Sequence, residues 1–310
     1  MKAPLISIVI PVYKAEDCIQ PLYKRLLKAL DPLSNNWEMI LIEDASGDRS
    51  WQEIERLSLT DKRIKGLKLS RNFGQHAALT AGLDRALGDW IVLMDCDLQD
   101  QPEEIPKLYL KACDGWDIVK ARRSLRQDSW LRRQASYTFY RLLSYLTETQ
   151  QDPTISNFGI YSRPVIHAVT SLRESLRYFP AMIQWVGFKA AAIDVEHAPP
   201  GTRASSYSLR KLLRLAFDVM ISFSEKPLKL AMKLGFIIAG ISFVWALILI
   251  LRALFLGRVV AGWTSLIVST WFLSGLIISI TGIVGIYVGR TYSEVKQRPI
   301  YVIEKETGHY

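Results

Sequence analysis

The sequence predicts an α/β protein: a mostly parallel sheet with helices on both faces, followed by an amphipathic helix and two long apolar helices. Two observations carry this prediction. Short apolar runs alternate with segments of helical periodicity through the first third of the chain, the pattern of strands joined by crossover helices. Then, within a chain of 310 residues that is 49% hydrophobic, Leu234–Leu251 and Ala261–Gly289 carry no charged residue at all.

Leu5–Val12 is a β-branched apolar run, and Ile19, Leu22, Leu26, Leu27 and Leu30 follow it at helical spacing. The alternation continues with strand-like Trp37–Ile42, helical Trp51–Leu59, strand-like Ile64–Leu69, helical His76–Leu87 and strand-like Trp90–Met94. Asp117–Ala121 reads as a further strand. Ligands of such sheets bind outside the carboxyl ends of the strands. Those ends read Pro11-Val12-Tyr13, Glu43-Asp44, Ser70-Arg71-Asn72-Phe73-Gly74 and Asp95-Cys96-Asp97.

A helix crossing a hydrocarbon core needs about 20 apolar residues, which the second uncharged stretch supplies and the first supplies if Lys233 and Arg252 reach outward. Lys226, Lys229 and Lys233 precede the first stretch and Arg290, Lys296 and Arg298 follow the second, with Arg258 alone between them. The positive-inside rule then predicts a multi-pass protein of the inner membrane with both flanks, and the N-terminal domain, in the cytoplasm. The N-terminus has no signal-peptide pattern. Three cysteines, Cys18, Cys96 and Cys113, lack zinc-ligand spacing and fit a reducing compartment. Upstream, Leu209, Leu212, Leu213, Ala216, Phe217 and Met220 share one helical face that Arg210, Lys211 and Arg214 avoid, the pattern of an interfacial helix. The resulting division is a cytosolic α/β domain over 1–204, an amphipathic region over 205–229, spans over 230–256 and 263–289 joined by an external hairpin at 257–262, and a tail over 290–310. In that tail Pro299–Ile303 is an extended run suited to adding a strand to a neighbouring protomer's sheet, which predicts a homo-oligomer.

The formal charge is +9. Arg122, Arg123, Arg126, Arg132 and Arg133 lead into a segment rich in tyrosine, an interleaving also met in nucleic-acid binders. Beside two apolar helices, membrane lipids or a lipid phosphate are the better anionic partner, and no nucleic-acid role is expected.

Asp95 and Asp97, beyond a buried strand, suit a hard divalent cation, which takes oxygen ligands and commonly bridges carboxylates to substrate phosphates. Gln99 can add an amide oxygen. A lone Asp-X-Asp is more often a solvated turn, but the strand-end position and the second acidic strand end at Glu43-Asp44 favour a site. Neither a Walker loop nor GxGxxG follows the first strand, which argues against ATPase and dinucleotide chemistry.

Taken together, Ile8-Val9-Ile10-Pro11-Val12-Tyr13, Glu43-Asp44-Ala45-Ser46-Gly47-Asp48, Arg71-Asn72-Phe73-Gly74-Gln75, Ala81-Gly82, Gly88-Asp89 and Met94-Asp95-Cys96-Asp97-Leu98-Gln99-Asp100 resemble the family 2 glycosyltransferases of GT-A fold. More narrowly they resemble the polyisoprenyl-phosphate glycosyltransferases, whose tail is similar to Gly289-Arg290-Thr291-Tyr292 with Arg298-Pro299 here. The resemblance implies transfer from a nucleotide-sugar donor to a polyprenyl-phosphate acceptor, with Mg²⁺ or Mn²⁺ as cofactor. It implies a nucleotide-sugar site of Pro11, Val12, Tyr13, Glu43, Asp44, Arg71, Gly74 and Asp95. It further implies metal ligation by Asp97 and Gln99, and a phosphate contact from Arg122. Arg126, Arg132, Arg133, Arg203 and Arg210 are expected to draw the acceptor phosphate.

Two positions depart from the family pattern. Asn157 stands where relatives often carry an aspartate, and Gly201-Thr202-Arg203-Ala204 alters the usual arginine-glycine order. A phosphate monoester, with a second pKa near ~6, is mostly dianionic at neutral pH and needs no protein base. An alcohol acceptor would need one. The competing expectations are a processive polysaccharide synthase, against which the chain shows no Gln-x-x-Arg-Trp motif, and an inert membrane scaffold of the same fold.

Overall fold

The structure, a computed structural model, describes residues 5–34, 36–123, 155–196, 226–256 and 262–308. The described residues form two compact units, one comprising the residues up to 196 together with the tail from Arg298, the other the two long apolar helices.

The first unit is built on one eight-stranded sheet. In chain order its strands are β1 (Ile6–Val12), β2 (Trp37–Glu43), β3 (Ile64–Leu69), β4 (Trp90–Leu93), β5 (Ile118–Arg123), β6 (Ile155–Ser162), β7 (Ala190–Val195) and β8 (Ile303–Thr307), lying side by side as β7-β5-β6-β4-β1-β2-β3-β8. β1 pairs in parallel with β2 and β4, β2 with β3 and β5 with β7, whereas β6 and β8 run opposite to the other six. The mostly parallel sheet is therefore present, and its carboxyl edge gathers the ends of β1, β2, β3, β4 and β5 with the amino ends of β6 and β8.

Helices α1 (Glu16–Leu30), α2 (Ser50–Thr60), α3 (Gln75–Arg85), α4 (Ile105–Cys113), α5 (Arg163–Ser171) and α6 (Phe179–Trp185) cover the sheet. Ile19, Leu22, Leu26 and Leu30 of α1 and Ile54 and Leu57 of α2 pack on Ile8, Ile10, Val12, Met39 and Leu41. At roughly 25 cal/mol per Å² of apolar surface, this burial is what holds the strands in register. On the other face, α3 lies so close to the sheet that a Cβ at Gly82 would meet Val9 Cγ1 and Ile42 Cδ1, each at 2.5 Å.

Toward the amino ends of the strands a polar network is sealed in the sheet. Glu38 accepts from Lys65 Nζ at 2.8 Å, with both side chains under a tenth exposed, and from the Leu87 amide at 2.6 Å. Ser7 also donates to Glu38, and its hydroxyl accepts from the Gly88 amide at 2.7 Å. These bonds tie the turn after α3 to β1 and β2.

The tail differs from expectation. Its strand is Ile303–Thr307, just beyond most of the run read as extended, and it pairs antiparallel with β3 of its own chain rather than with a neighbour. Thr307 meets Ser58 of α2 at 2.7 Å, Tyr301 donates to Asp84 at 2.7 Å and Arg85 pairs with Glu306 at 2.6 Å. The reading of a homo-oligomer thereby loses the feature on which it rested.

In the second unit, α7 (Lys226–Leu256) and α8 (Trp263–Val295) contain windows Leu228–Trp245 and Ser269–Val295 of mean hydropathy 1.7 and 2.0, long and apolar enough to cross a membrane. Almost none of these windows is buried, so their side chains are available to lipid. Gly235 of α7 comes within 3.7 Å of Ile280 of α8, measured from a Cβ placed on the glycine. The expected amphipathic region before Ser224 and nearly all of the expected hairpin lie outside the described residues.

Candidate functional site

A cavity of about 380 Å³ opens at the carboxyl edge, lined by Pro11, Val12, Tyr13, Ala15, Asp44, Asn72, Gly74, Gln75, Ala78, Asp95, Cys96 and Asp97. Strand geometry explains the assembly. β1, β2 and β4 end side by side, so the residues that leave each strand converge on the same space. The chain bends sharply as it leaves: Lys14, Ala45 and Leu98, one after each of these strands, hold positive φ values of 52°, 49° and 63°. Such backbone is costly for a side-chain-bearing residue and gathers at functional sites.

Asp44 organises the rim. It is buried, its Oδ1 accepts from the Phe73 amide at 2.7 Å and its Oδ2 from the Gly74 amide at 2.9 Å, while Asn72 Nδ2 donates to its carbonyl at 3.2 Å. This clamps the loop after β3 against the end of β2. Burial pushes the Asp44 carboxyl above its ordinary range, against the lowering effect of the two amides. Gly74 has φ 93°, a conformation that suits glycine, and it caps α3 so that Gln75 reaches Asp95 Oδ1 at 2.8 Å. Behind the acidic loop, buried Asp100 accepts from the Asp95 amide at 3.3 Å.

Among the expected site residues, Pro11, Val12, Tyr13, Asp44, Gly74, Asp95 and Asp97 thus share one cavity. Others stand apart from it. Glu43 points away from the edge and is buried, with one carboxylate oxygen accepting from the Ser46 amide and hydroxyl and the other without a hydrogen-bond partner among the described residues. Its visible work is to hold the Ser46 turn. Arg71 lies over the Phe73 ring at 4.0 Å and is exposed. Gln99 turns its backbone amide to Asp97 Oδ1 at 3.0 Å, and it does not line the cavity. Arg122, on β5, is exposed and lies 3.8 Å from Asp194. Asn157 lies on β6 two residues before Gly159, the partner of Leu93 at the end of β4, and it does not line the cavity. Arg126, Arg132, Arg133, Arg203 and Arg210 lie outside the described residues.

The donor set suits a hard cation. Asp95 and Asp97 offer oxygen ligands in one cavity, and Mg²⁺ or Mn²⁺ held by two carboxylates completes its shell with water and phosphate oxygens.

Sequence reasoning left Gln75, Asn72 and Asp100 without individual roles, although all lie within the runs that carry the resemblance. Their importance is a matter of bonding across the edge: Gln75 to Asp95, Asn72 to Asp44 and Asp100 to the Asp95 amide.

A mixed sheet clothed by helices, with acidic residues converging at its carboxyl edge, is the GT-A fold of sugar-nucleotide-dependent transferases. The comparisons with known proteins agree. Residues 7–168 match the model of glycosyl transferase family 2. The chain is 35% identical to the undecaprenyl-phosphate 4-deoxy-4-formamido-L-arabinose transferase of Aeromonas hydrophila, over 97% of this chain and 93% of that one. It is 34% identical to the prophage bactoprenol glucosyl transferase homolog of Escherichia coli K12, over 97% and 98%. Among solved structures, the glucosyl-3-phosphoglycerate synthase of Mycobacterium tuberculosis, in complex with Mn²⁺, UDP and phosphoglyceric acid, shares the fold with a TM-score of 0.52, at 19% identity over 70% of this chain and 76% of that one. The chain belongs to glycosyl transferase family 2, and it is a glycosyltransferase.

Proposed function

We propose that the enzyme transfers one sugar from a nucleotide-sugar, of the UDP-hexose class, to the phosphate of a polyprenyl phosphate such as undecaprenyl phosphate, with inversion, at the cytoplasmic leaflet of the inner membrane. The observation that carries this reading is the shared cavity of Asp95 and Asp97 with Pro11, Val12, Tyr13 and Asp44. Two of the relatives have names that specify a polyprenyl-type acceptor, and they differ in the sugar. That supports the acceptor class more strongly than any particular sugar.

Tyr13, half exposed at the rim, and Asp44 would hold the nucleoside, with the clamped Phe73–Gly74 loop forming one wall. Asp97, with Asp95 beside it, would hold Mg²⁺ or Mn²⁺ at the diphosphate. The ion, when bound, offsets the negative charge that grows on the leaving oxygens. An acceptor phosphate oxygen forms the new bond to the anomeric carbon from the side opposite the diphosphate, the anomeric carbon–oxygen bond to the nucleoside diphosphate breaks, and both electrons leave with it. A dianionic phosphate has no proton to surrender in this step, so an amide at Asn157 is compatible with it. Arg122 is suited to steady a phosphate through its planar fork of donors.

Membrane placement follows from α7 and α8 and from the basic flanks Lys226, Lys229, Lys233, Arg290, Lys296 and Arg298. β8, after α8, belongs to the same sheet as β1 to β7, before α7, an observation in favour of both flanks lying on one side of the bilayer. This supports the division into a cytosolic catalytic domain, two spans and a cytosolic tail.

The test is Asp97→Ala in membranes supplied with a panel of nucleotide sugars and undecaprenyl phosphate. Transfer should be lost, along with the Mg²⁺ dependence of nucleoside-diphosphate binding. Full transfer by that variant would refute the metal assignment, and a product longer than one sugar would refute single transfer.

A further inference from the structure

Lys120 has no role in the account so far, and its surroundings are unusual. It lies in β5, one strand position pair short of Arg122, with Gly159 of β6 on one side and Ala192 of β7 on the other. Side chains repeat their face every second residue along a strand, and directly paired residues share a face. Lys120 therefore stands on the same face as Arg122, Gly159 and Ala192, one row back from the carboxyl edge. Its two flanking residues provide almost no side chain on that face. Gly159 is held to hydrogen by crowding, since a Cβ there would meet Val119 O at 2.7 Å. Tyr161 Oη lies 3.2 Å from the same Cβ position, so the phenol covers the glycine, and the lysine stem lies half-buried in the neighbouring strand. A four-carbon stem spans about 6.6 Å, a two-residue strand step, so the ammonium can reach the level of Arg122.

No hydrogen bond or ion pair is made by Lys120 among the described residues, whereas the deeper Lys65 is paired with Glu38. Burial alone pushes the Lys120 ammonium below its ordinary range. A half-buried cation without a partner costs stability, and such a cost is commonly retained at a site that receives an anion. The ladder changes register between Lys120 and Arg122, and Asn157 sits in that irregularity, so the backbone is irregular where the ammonium would emerge. The nucleotide half of the edge is formed by β1, β2, β3 and β4, whereas Lys120 belongs to the half formed by β5, β6 and β7.

We propose that Lys120 is a second cation, beside Arg122, that binds the phosphate of the acceptor. The inference rests on the phosphate-acceptor reading given above and names the residue that would receive the acceptor's charge.

The experiment uses the full-length protein in detergent, comparing wild type, Lys120→Met and Lys120→Arg with a short-chain polyprenyl phosphate, the corresponding polyprenol, and inorganic phosphate as a competitor. Lys120→Met should melt at the same or a higher temperature, because an unpaired charge has been removed. Its KM for the polyprenyl phosphate should rise about tenfold or more, the worth of a charge-assisted hydrogen bond, while KM for the sugar nucleotide stays unchanged. Lys120→Arg should recover most of the loss. Inorganic phosphate should compete with the acceptor in wild type and more weakly in Lys120→Met, which separates recognition of the phosphate from recognition of the lipid. An unchanged acceptor KM, or an equal rise in both KM values, would overturn the assignment. A lowered melting temperature that Lys120→Arg restores without any effect on acceptor KM would make Lys120 structural. Wild-type transfer to the polyprenol but not to its phosphate would instead overturn the underlying reading of the acceptor.

Discussion

Replacing Glu38 by methionine removes one side of a buried ion pair and leaves the other in place. Lys65 Nζ would lose the carboxylate at 2.8 Å while remaining under a tenth exposed, and the Leu87 amide would lose an acceptor at 2.6 Å. Breaking such a pair from one side costs about 3–5 kcal/mol, and an orphaned buried amide adds about 1–3 kcal/mol. Local relaxation absorbs part of the sum, which leaves about 4 kcal/mol. For a unit of this size that corresponds to a fall of roughly 10 °C in the unfolding midpoint. The assay is thermal unfolding in detergent of Glu38→Met, Lys65→Met and the double variant. Both single variants should lose stability, and the double variant should recover most of the Lys65 component, since two matched apolar groups replace two matched charges. Glu38 and Asp44 are six strand steps apart, about 20 Å, so transfer at a permissive temperature should be preserved. A double variant as unstable as Glu38→Met would refute the pairing argument.

Other consequences are open to direct measurement. His76 lies against Tyr178, its Nδ1 is buried without a hydrogen-bond partner among the described residues, and burial, followed by the nearby Arg177 charge, lowers its pKa from 6.5 to about 4. Because the unfolded chain binds the proton first, its contribution is complete above pH 6.5 and is lost as pH falls toward 4, amounting to about 2 kcal/mol by pH 5. Urea midpoints at pH 7 and pH 5 should differ less in His76→Phe than in wild type; equal differences would rule out His76 as the source. Truncation after Arg298 removes β8 and the Val302 carbonyl that accepts from the Ser70 amide at 2.9 Å, so both the melting temperature and the affinity for sugar nucleotide should fall. A truncated enzyme with unchanged melting temperature would show that the tail strand contributes nothing to the sheet.

The central strands were legible because burial on both faces leaves no choice of residue: β1 and β2 are buried along almost their entire length, and the sequence shows continuous apolar runs. The outer strands lack that signal. β8 reads Ile-Glu-Lys-Glu-Thr, and β7 begins with three alanines, compositions that an edge tolerates and that hydropathy cannot distinguish from loop or helix. The acidic strand ends were found, but Glu43 and Asp44 could not be separated, since neighbouring residues leave a strand on opposite sides. Only the coordinates show that Asp44 faces the cavity and Glu43 the Ser46 turn. Lys120 was invisible for a related reason: a single lysine in a strand ordinarily faces water, and its place between Gly159 and Ala192 is set by strand pairing that a linear sequence does not display.

Ser58 and Thr307 touch although 249 residues separate them in the chain. A ribosome delivers β3 long before β8, and both apolar helices are made in the interval. Throughout that time β3 presents an unpaired edge, the kind of surface on which nascent chains aggregate. Closure waits for the last residues, and it can happen only if the helical hairpin has returned the tail to the side from which the chain departed. A chain inserted with the wrong number of crossings would keep that edge of β3 open, because its last strand would be on the far side of the bilayer.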